Sequence, residues 1–185
     1  MLPIGVHPVF KLPDEPGAAR LSAAGDIAVH TYPVDAEMGV SKLPHATRFS
    51  SLDKACLADG TAIDLSRHPL PMHTEEIVLV SGVEGRASLD NHEEGYRASI
   101  LWDIAAFGSC NLWISHYGRT GYPWNGRFKG LGIEPVSAPF DLGCAVATTP
   151  TLPLLAEGVT CGVQFHAGKV WTTHYAIEVE PLATT

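Results

Sequence analysis

The feature that most constrains the fold is an alternation of side-chain character in the stretch 169–180. Every second residue there is aromatic or β-branched, in the series Trp171, Thr173, Tyr175, Ile177 and Val179. Successive side chains of a β-strand point to opposite faces, so these five side chains would share one face. β-branched and aromatic residues are also the types that strands favour. The alternation therefore predicts a strand.

Eight shorter segments have a similar character and lie between turns rich in Gly, Asn and Asp. They are 26–32, 61–65, 76–80, 86–89, 96–102, 111–116, 130–134 and 161–166. The stretch 50–57 suggests a helix of one or two turns with a Ser N-cap. With 18 Gly and 14 Pro, the 185 residues are divided into short elements. We predict an all-β fold, an antiparallel β-sandwich that forms a single domain over residues 1–185.

Charge and composition exclude several functional classes. Twelve Lys and Arg against 20 Asp and Glu give a net charge of -8, which argues against binding to nucleic acid or to anionic lipid. The chain has no apolar run of about 18 residues, so no transmembrane helix is expected. Its first residues lack the basic and apolar regions of a secretion signal. Four widely spaced cysteines without a C-x-x-C motif are typical of free thiols in a reducing cytoplasm.

The first of three polar groups is the segment 5–10, Gly-Val-His-Pro-Val-Phe. A residue followed by proline is disfavoured in a helix, so His7 is expected on an extended or turn segment. Histidine titrates near neutral pH and can therefore act as a general acid or base. The alternative interpretation is an ordinary surface or core histidine.

The second group is the segment 118–128, which holds two arginines, an asparagine and three aromatic residues. Planar Arg and Asn groups can bind sugar hydroxyls, and aromatic rings can pack on the apolar face of a sugar. The candidate sugar-binding residues are Arg119, Trp124, Asn125 and Arg127. The alternative is a long hairpin loop that is closed by aromatic packing.

The third group is formed by carboxylates at strand ends. Glu134 ends an apolar run and precedes Pro135, which stops strand pairing. Burial would raise the pKa of this carboxyl and suit it to act as a general base, although an ion pair with Arg119 or Arg127 is the alternative. Glu75 and Glu76 begin another predicted strand and must point to opposite faces, so one of them can face a ligand.

Other catalytic signatures are missing from the sequence. No spacing of His, Cys, Asp or Glu fits a metal site, and His73 and His116 are isolated. There is no phosphate-binding glycine motif and no nucleophile elbow. We therefore expect neither a metal nor a cofactor.

Three segments carry a family resemblance: 5–10, the Pro-Trp-Asn-Gly-Arg stretch 123–127, and the Gly-Ile-Glu-Pro stretch 132–135. Together they resemble the aldose 1-epimerase (galactose mutarotase-like) superfamily, in its less characterised epimerase-like branch. The resemblance implies a β-supersandwich in which His7 is the general acid and Glu134 the general base. It also implies that Glu75 binds a sugar hydroxyl, with Glu75-Glu76 at the place of the family's usual Asp-His pair.

The resemblance extends over the chain but corresponds to the second half of a full-length family member. The first half usually supplies a further sugar-binding histidine and an arginine, which have no counterpart here. A β-supersandwich without that half would have open sheet edges that need to be covered, for example by self-association into a homo-oligomer.

The implied chemistry is proton transfer alone. Glu134 would take the proton of the anomeric hydroxyl while His7 protonates the ring oxygen, and the ring opens and recloses on the other face. The expected function is thus a carbohydrate isomerase that interconverts sugar anomers. Two alternatives stay open: a carbohydrate-binding module without catalysis, and an assembly protein in which the loop 118–128 is a partner contact.

Overall fold

The computed structural model describes residues 1–183 and is built mainly from antiparallel strands, which confirms the all-β prediction. The strands are β1 (Ile4–Gly5), β2 (Val9–Lys11), β3 (Ala19–Thr31), β4 (Arg48–Phe49), β5 (Ala55–Cys56), β6 (Ala62–Ile63), β7 (Arg67–His68), β8 (Thr74–Asn91), β9 (Tyr96–Trp102), β10 (Ser109–His116), β11 (Lys129–Ser137) and β12 (Tyr175–Pro181). A 3-10 turn (Leu52–Lys54) and two short helices, α1 (Gly143–Ala147) and α2 (Pro153–Ala156), complete the description.

One large sheet dominates the described residues, and its central path runs β1-β11-β10-β8-β3-β4. β2 continues along β11, β7 pairs with β3, and β9 connects the second half of β8 to β12. β3 and β8 both bend where Gly25 and Gly82 cross, with φ of 118° and 72°. A Cβ at either glycine would collide with the backbone of the other strand. The bend lets the sheet curl around its own core, in a sandwich-like arrangement.

The two faces of the central strands have different roles. Val78, Leu112, Leu131 and Ile133 point to one face and belong to the main hydrophobic core. The opposite face carries polar and aromatic side chains, and a smaller apolar cluster around Phe140 covers part of it. The uncovered part of this second face is the place where a ligand can approach the sheet.

The predicted elements agree with the structure to different degrees. The segment 96–102 coincides with β9, whereas 76–80 and 86–89 belong to the single strand β8 because Gly82 and Gly85 bend it without ending it. The helix prediction for 50–57 is reduced to one 3-10 turn. The strand predicted for 169–180 begins at Tyr175.

The strand predicted for 161–166 is wrong. Val163 alone forms a β-bridge there, with Leu2. At Gly162 a Cβ would lie 2.8 Å from Cγ of Met1 and 3.0 Å from the carbonyl oxygen of Leu2, so the segment crosses the N-terminal residues tightly. Across the described residues, no helix has the length and apolar character needed to cross a membrane.

Candidate active site

His7 and Glu134 meet at the edge of the sheet. His7 lies in the connection between β1 and β2, which both pair with β11. The backbone around it is held on both sides, since Val6 donates to the carbonyl of Pro135 and Ile133 donates to the carbonyl of Pro8, each at 3.1 Å. His7 Nδ1 approaches Oε1 of Glu134 to 2.5 Å. The His7 side chain is 62% exposed and that of Glu134 only 11%.

Glycines create the space in which Glu134 lies. Gly130, Gly132 and Glu134 alternate along β11 and therefore share one face of the sheet. A Cβ at Gly132 would collide with the Glu134 carboxylate and would lie 3.0 Å from Cβ of Trp113. A Cβ at Gly130 would meet the Phe128 ring at 3.0 Å. In the sequence Gly-Leu-Gly-Ile-Glu, the two apolar residues point into the core. The two glycines leave space on the opposite face for the Glu134 carboxylate and the aromatic rings.

An aromatic group built around Trp113 forms the wall beside His7. The Trp113 ring stacks on His7 and on Phe128, with 5.4 Å between ring centroids in both cases. Trp124 packs against Phe128 at 4.8 Å, and the Arg119 guanidinium lies 5.1 Å from the Trp113 ring centroid. Cation–π packing of this kind orients an arginine. Trp113 was not among the predicted site residues, although strand alternation in 111–116 places it on the same face as Asn111 and Ser115.

Glu75 is fully buried beneath this wall. Its carboxylate accepts hydrogen bonds from Trp113 Nε1 at 2.5 Å and from Ser115 Oγ at 2.7 Å, and Arg119 Nε lies 2.8 Å away. The exposed fraction of Glu75 is zero, and its carboxylate contacts other side chains of the protein. Glu75 is therefore placed to orient Trp113 and Arg119. Glu76 points to the opposite face, where the backbone N–H groups of Lys42 and Leu43 bind it.

These side chains line an open cleft of about 770 Å³, a size typical of small-molecule sites. Of the seven predicted site residues, His7, Glu134, Arg119 and Trp124 line it. Asn125 and Arg127 are exposed and do not contribute to its lining. The lining also includes Phe128, one of the three aromatic residues of the segment 118–128, and Asn111, Trp113, Lys129 and Asp141, which were not predicted.

Two buried oxygen atoms in the cleft lack a directed hydrogen bond. They are Oδ1 of Asn111 and Oε1 of Glu134, whose short approach to His7 is outside hydrogen-bond geometry. Asn111 and Glu134 are direct neighbours across β10 and β11, so the two acceptors lie side by side. Buried polar atoms in native proteins are almost always hydrogen-bonded, and unpaired ones demand an explanation. Hydroxyl groups of a ligand would satisfy both.

Burial determines the protonation of Glu134. Removal from water disfavours the carboxylate, and the nearby Asp141 carboxylate disfavours it further, so the pKa of Glu134 rises to about 8. A group with a pKa near the working pH can both accept and release a proton efficiently. The cleft therefore contains an acid–base group suited to proton transfer at neutral pH.

Each basic side chain in the cleft wall contacts a carboxylate. Arg119 is paired with the buried Glu75, Lys129 with Asp14 at 2.7 Å, and Lys11 with Glu94. Asp141 adds a further carboxylate to the wall. The fixed charges around the cleft are therefore balanced, with a slight excess of negative charge.

The arrangement of ligating side chains does not suggest a metal centre. Within residues 1–183, no three side chains of His, Cys, Asp or Glu lie close enough together to hold a metal ion. When the chain is compared with models of protein families, with curated proteins and with solved structures, none of them matches it.

Proposed function

We propose that this protein is an aldose 1-epimerase-like isomerase that interconverts the anomers of a sugar by acid–base proton transfer. The observation that carries the proposal is the meeting of the His7 imidazole and the buried Glu134 carboxylate in one aromatic-walled cleft. The aromatic wall suits the apolar face of a sugar ring, and the unpaired oxygens of Asn111 and Glu134 suit its hydroxyls.

The proposed reaction uses one proton acceptor and one donor. Glu134, as the carboxylate, takes the proton of the anomeric hydroxyl, and His7, as the imidazolium, protonates the ring oxygen. The bond between the anomeric carbon and the ring oxygen then breaks, the open-chain aldehyde rotates, and reclosure on the other face returns both protons. Positioned groups of this kind each contribute about 10²–10⁴-fold to the rate.

The remaining side chains of the cleft support this reaction in distinct ways. Trp113, Trp124 and Phe128 offer rings to the sugar, and Arg119 offers guanidinium N–H groups to its hydroxyls. Glu75 acts as a positioning residue, because it holds both Trp113 and Arg119 from below. The proposal needs no cofactor, because the chemistry is proton transfer alone.

Substrate must separate the two catalytic groups. A sugar ring between an acid and a base requires a gap on the order of 5–8 Å, by analogy with paired glycosidase carboxylates. The present separation is 2.5 Å, and His7 is the more exposed of the two side chains. We expect the imidazole to turn outward when the sugar enters, which exchanges its contact with Glu134 for one with the ring oxygen.

NMR exchange spectroscopy between the α and β anomers of several aldoses tests the proposal. We expect wild-type protein to accelerate exchange, and His7→Ala and Glu134→Gln each to lower the rate by about 10²–10⁴-fold. His92→Ala and Glu84→Gln are matched controls, since both side chains are exposed and neither lines the cleft. Equal rates for wild type and both catalytic variants would remove the proposed activity.

The direct contact of His7 with Glu134 favours one second candidate, a carbohydrate-binding module without catalysis. If the pair stays closed, the aromatic wall can still bind a sugar. This candidate predicts sugar binding by calorimetry with anomer exchange at the uncatalysed rate. Binding that is weakened by Trp124→Ala but not by His7→Ala would favour it over the isomerase.

The proposal places the protein in the cytoplasm. All four cysteines are free thiols, and two of them, Cys110 and Cys161, are buried. Free thiols persist in a reducing compartment. Secretion of the protein with its thiols oxidised would contradict this placement.

A further inference from the structure

The last strand, β12, extends the sheet beyond its core. It pairs with β9, and Tyr175, Ile177 and Val179 lie opposite Trp102, Ile100 and Ala98 on the same face. Those three β9 residues are buried, whereas Tyr175, Ile177 and Val179 are 48%, 49% and 67% exposed. The apolar face of the core therefore continues onto a strand that is left uncovered among residues 1–183.

The outer edge of β12 also presents backbone hydrogen-bonding groups, as the bonds on its inner edge show. On the inner edge the carbonyl of His174 accepts a hydrogen bond from the N–H of Asp103, and the N–H of Leu182 donates to the carbonyl of Gly95. Backbone groups alternate in direction along an antiparallel strand, so the even-numbered residues face β9 and the odd-numbered residues face outward. Pro181, which has no N–H, occupies an outward position, as is usual for proline in an edge strand.

We propose that the free edge of β12 pairs antiparallel with the same strand of a second copy of this chain, around a twofold axis at Ile177. The two sheets then join, and the outward N–H and C=O groups of Tyr175, Ile177 and Val179 find partners. In this register Ile177 faces Ile177 of the second copy, and Tyr175 faces its Val179. The exposed apolar stripe becomes a continuous cross-strand cluster, and such pairs each stabilise a sheet.

Charge and the length of paired strand together select this register. His174 faces Glu180 of the second copy, and the twofold axis repeats this pair of a basic and an acidic residue. Ala176 faces Glu178 and sets no like charge opposite it. A register shifted to an axis at Glu178 would set two glutamates directly opposite each other, which is destabilising. A shift to an axis at Ala176 would also set His174 opposite a glutamate, Glu178, but it would leave only residues 175–177 of β12 paired with each other. The axis at Ile177 avoids both losses.

Sedimentation and light-scattering measurements test the proposed dimer. We expect wild-type protein to have twice the chain mass of 19.8 kDa, and Ile177→Lys to have the mass of a single chain. Val170→Lys is the matched control, because Val170 is 91% exposed and lies outside β12. A wild-type protein that stays at the single-chain mass at every concentration, or an Ile177→Lys variant that remains dimeric, would overturn the proposal.

A cysteine experiment tests the register without depending on disruption. In a background with Cys144→Ser, which removes the exposed thiol, Ile177→Cys places two thiols across the axis, where directly opposed Cα atoms lie about 5.5 Å apart. Oxidation should convert most of this variant to a covalent dimer. Val179→Cys should remain mostly uncrosslinked, since each thiol faces Tyr175. The reverse pattern would contradict the axis at Ile177. Both outcomes are independent of whether the cleft isomerises sugars.

Discussion

At the scale of single residues, Glu134 is a carboxyl group that is largely removed from the water that would stabilise its charge. The Glu134 side chain is only 11% exposed, and its burial and the nearby Asp141 carboxylate both disfavour its charged form. The structure retains this unfavourable burial, as active sites do when a group must exchange protons at neutral pH. The cost of keeping the group there should be measurable as a pH dependence of folding.

We expect the free energy of unfolding to reveal this cost. The folded-state pKa of Glu134, about 8, lies above its ordinary value of 4.5, so the folded protein binds the proton more tightly. The resulting stabilisation is complete below pH 4.5 and is lost as the pH rises to about 8. Glu134→Gln mimics the protonated group and should therefore be more stable than wild type by about 1–4 kcal/mol at pH 8.

Urea unfolding of wild type and Glu134→Gln at pH 5 and pH 8 provides the measurement. The difference between the two proteins should be small at pH 5 and large at pH 8, while the titration of distant groups cancels in the comparison. Glu84→Gln, at an exposed position, should show no such change. A difference that is the same at both pH values would mean that burial does not raise the pKa of Glu134.

At the scale of strands, local pattern predicts elements where both ends carry a turn signal. β9 has the predicted bounds because turn residues precede it and Asp103 follows it, whereas β8 contains glycines that bend a strand without ending it. The local sequence cannot predict the site equally well. Trp113 belongs to the site only because β10 aligns it between Ile77 and Gly132, and this register depends on pairing between distant segments.

β11 provides the prediction at this scale. In Gly132→Ala the added methyl group collides with the Glu134 carboxylate and crowds Cβ of Trp113. We expect a loss of about 1–3 kcal/mol in the free energy of unfolding. We also expect anomer exchange to slow by about 100-fold, because Glu134, the proposed base, is displaced from its position. Urea unfolding and NMR exchange measure the two effects.

The control for this substitution is Gly121→Ala. A Cβ at Gly121 meets no atom within 4 Å, so its unfolding free energy should match that of wild type. If Gly132→Ala were as stable and as active as wild type, the empty face of β11 would not be what holds Glu134 in place.

At the scale of the whole molecule, charge limits the ligands that can enter the cleft. The chain carries a net charge of -8, and the cations of the cleft wall are already paired with carboxylates. The family resemblance predicts a sugar ligand but not the charge of that sugar. The charge that the cleft accepts depends on the pairing of Arg119 with the buried Glu75, and these two residues lie far apart in the sequence. Local sequence predicts Arg119 as a sugar ligand or as an ion-pair partner of Glu134, whereas the structure pairs it with Glu75.

The balanced cleft predicts a preference for neutral sugars over phosphorylated ones. A phosphate group brings a double negative charge close to Asp141 and finds Arg119 already neutralised by Glu75, so both repulsion and desolvation oppose its binding. We expect kcat/KM for glucose 6-phosphate to be at least about tenfold below that for glucose, which corresponds to about 1.4 kcal/mol. Because the repulsion is screened by ions, the ratio should narrow as salt is raised, and Asp141→Asn should narrow it at low salt. A higher kcat/KM for the phosphorylated sugar than for the neutral one, at any salt concentration, would contradict this prediction. It would show that the cations of the cleft wall leave their carboxylates to bind the phosphate, and that the charge balance of the cleft does not determine which sugar is preferred.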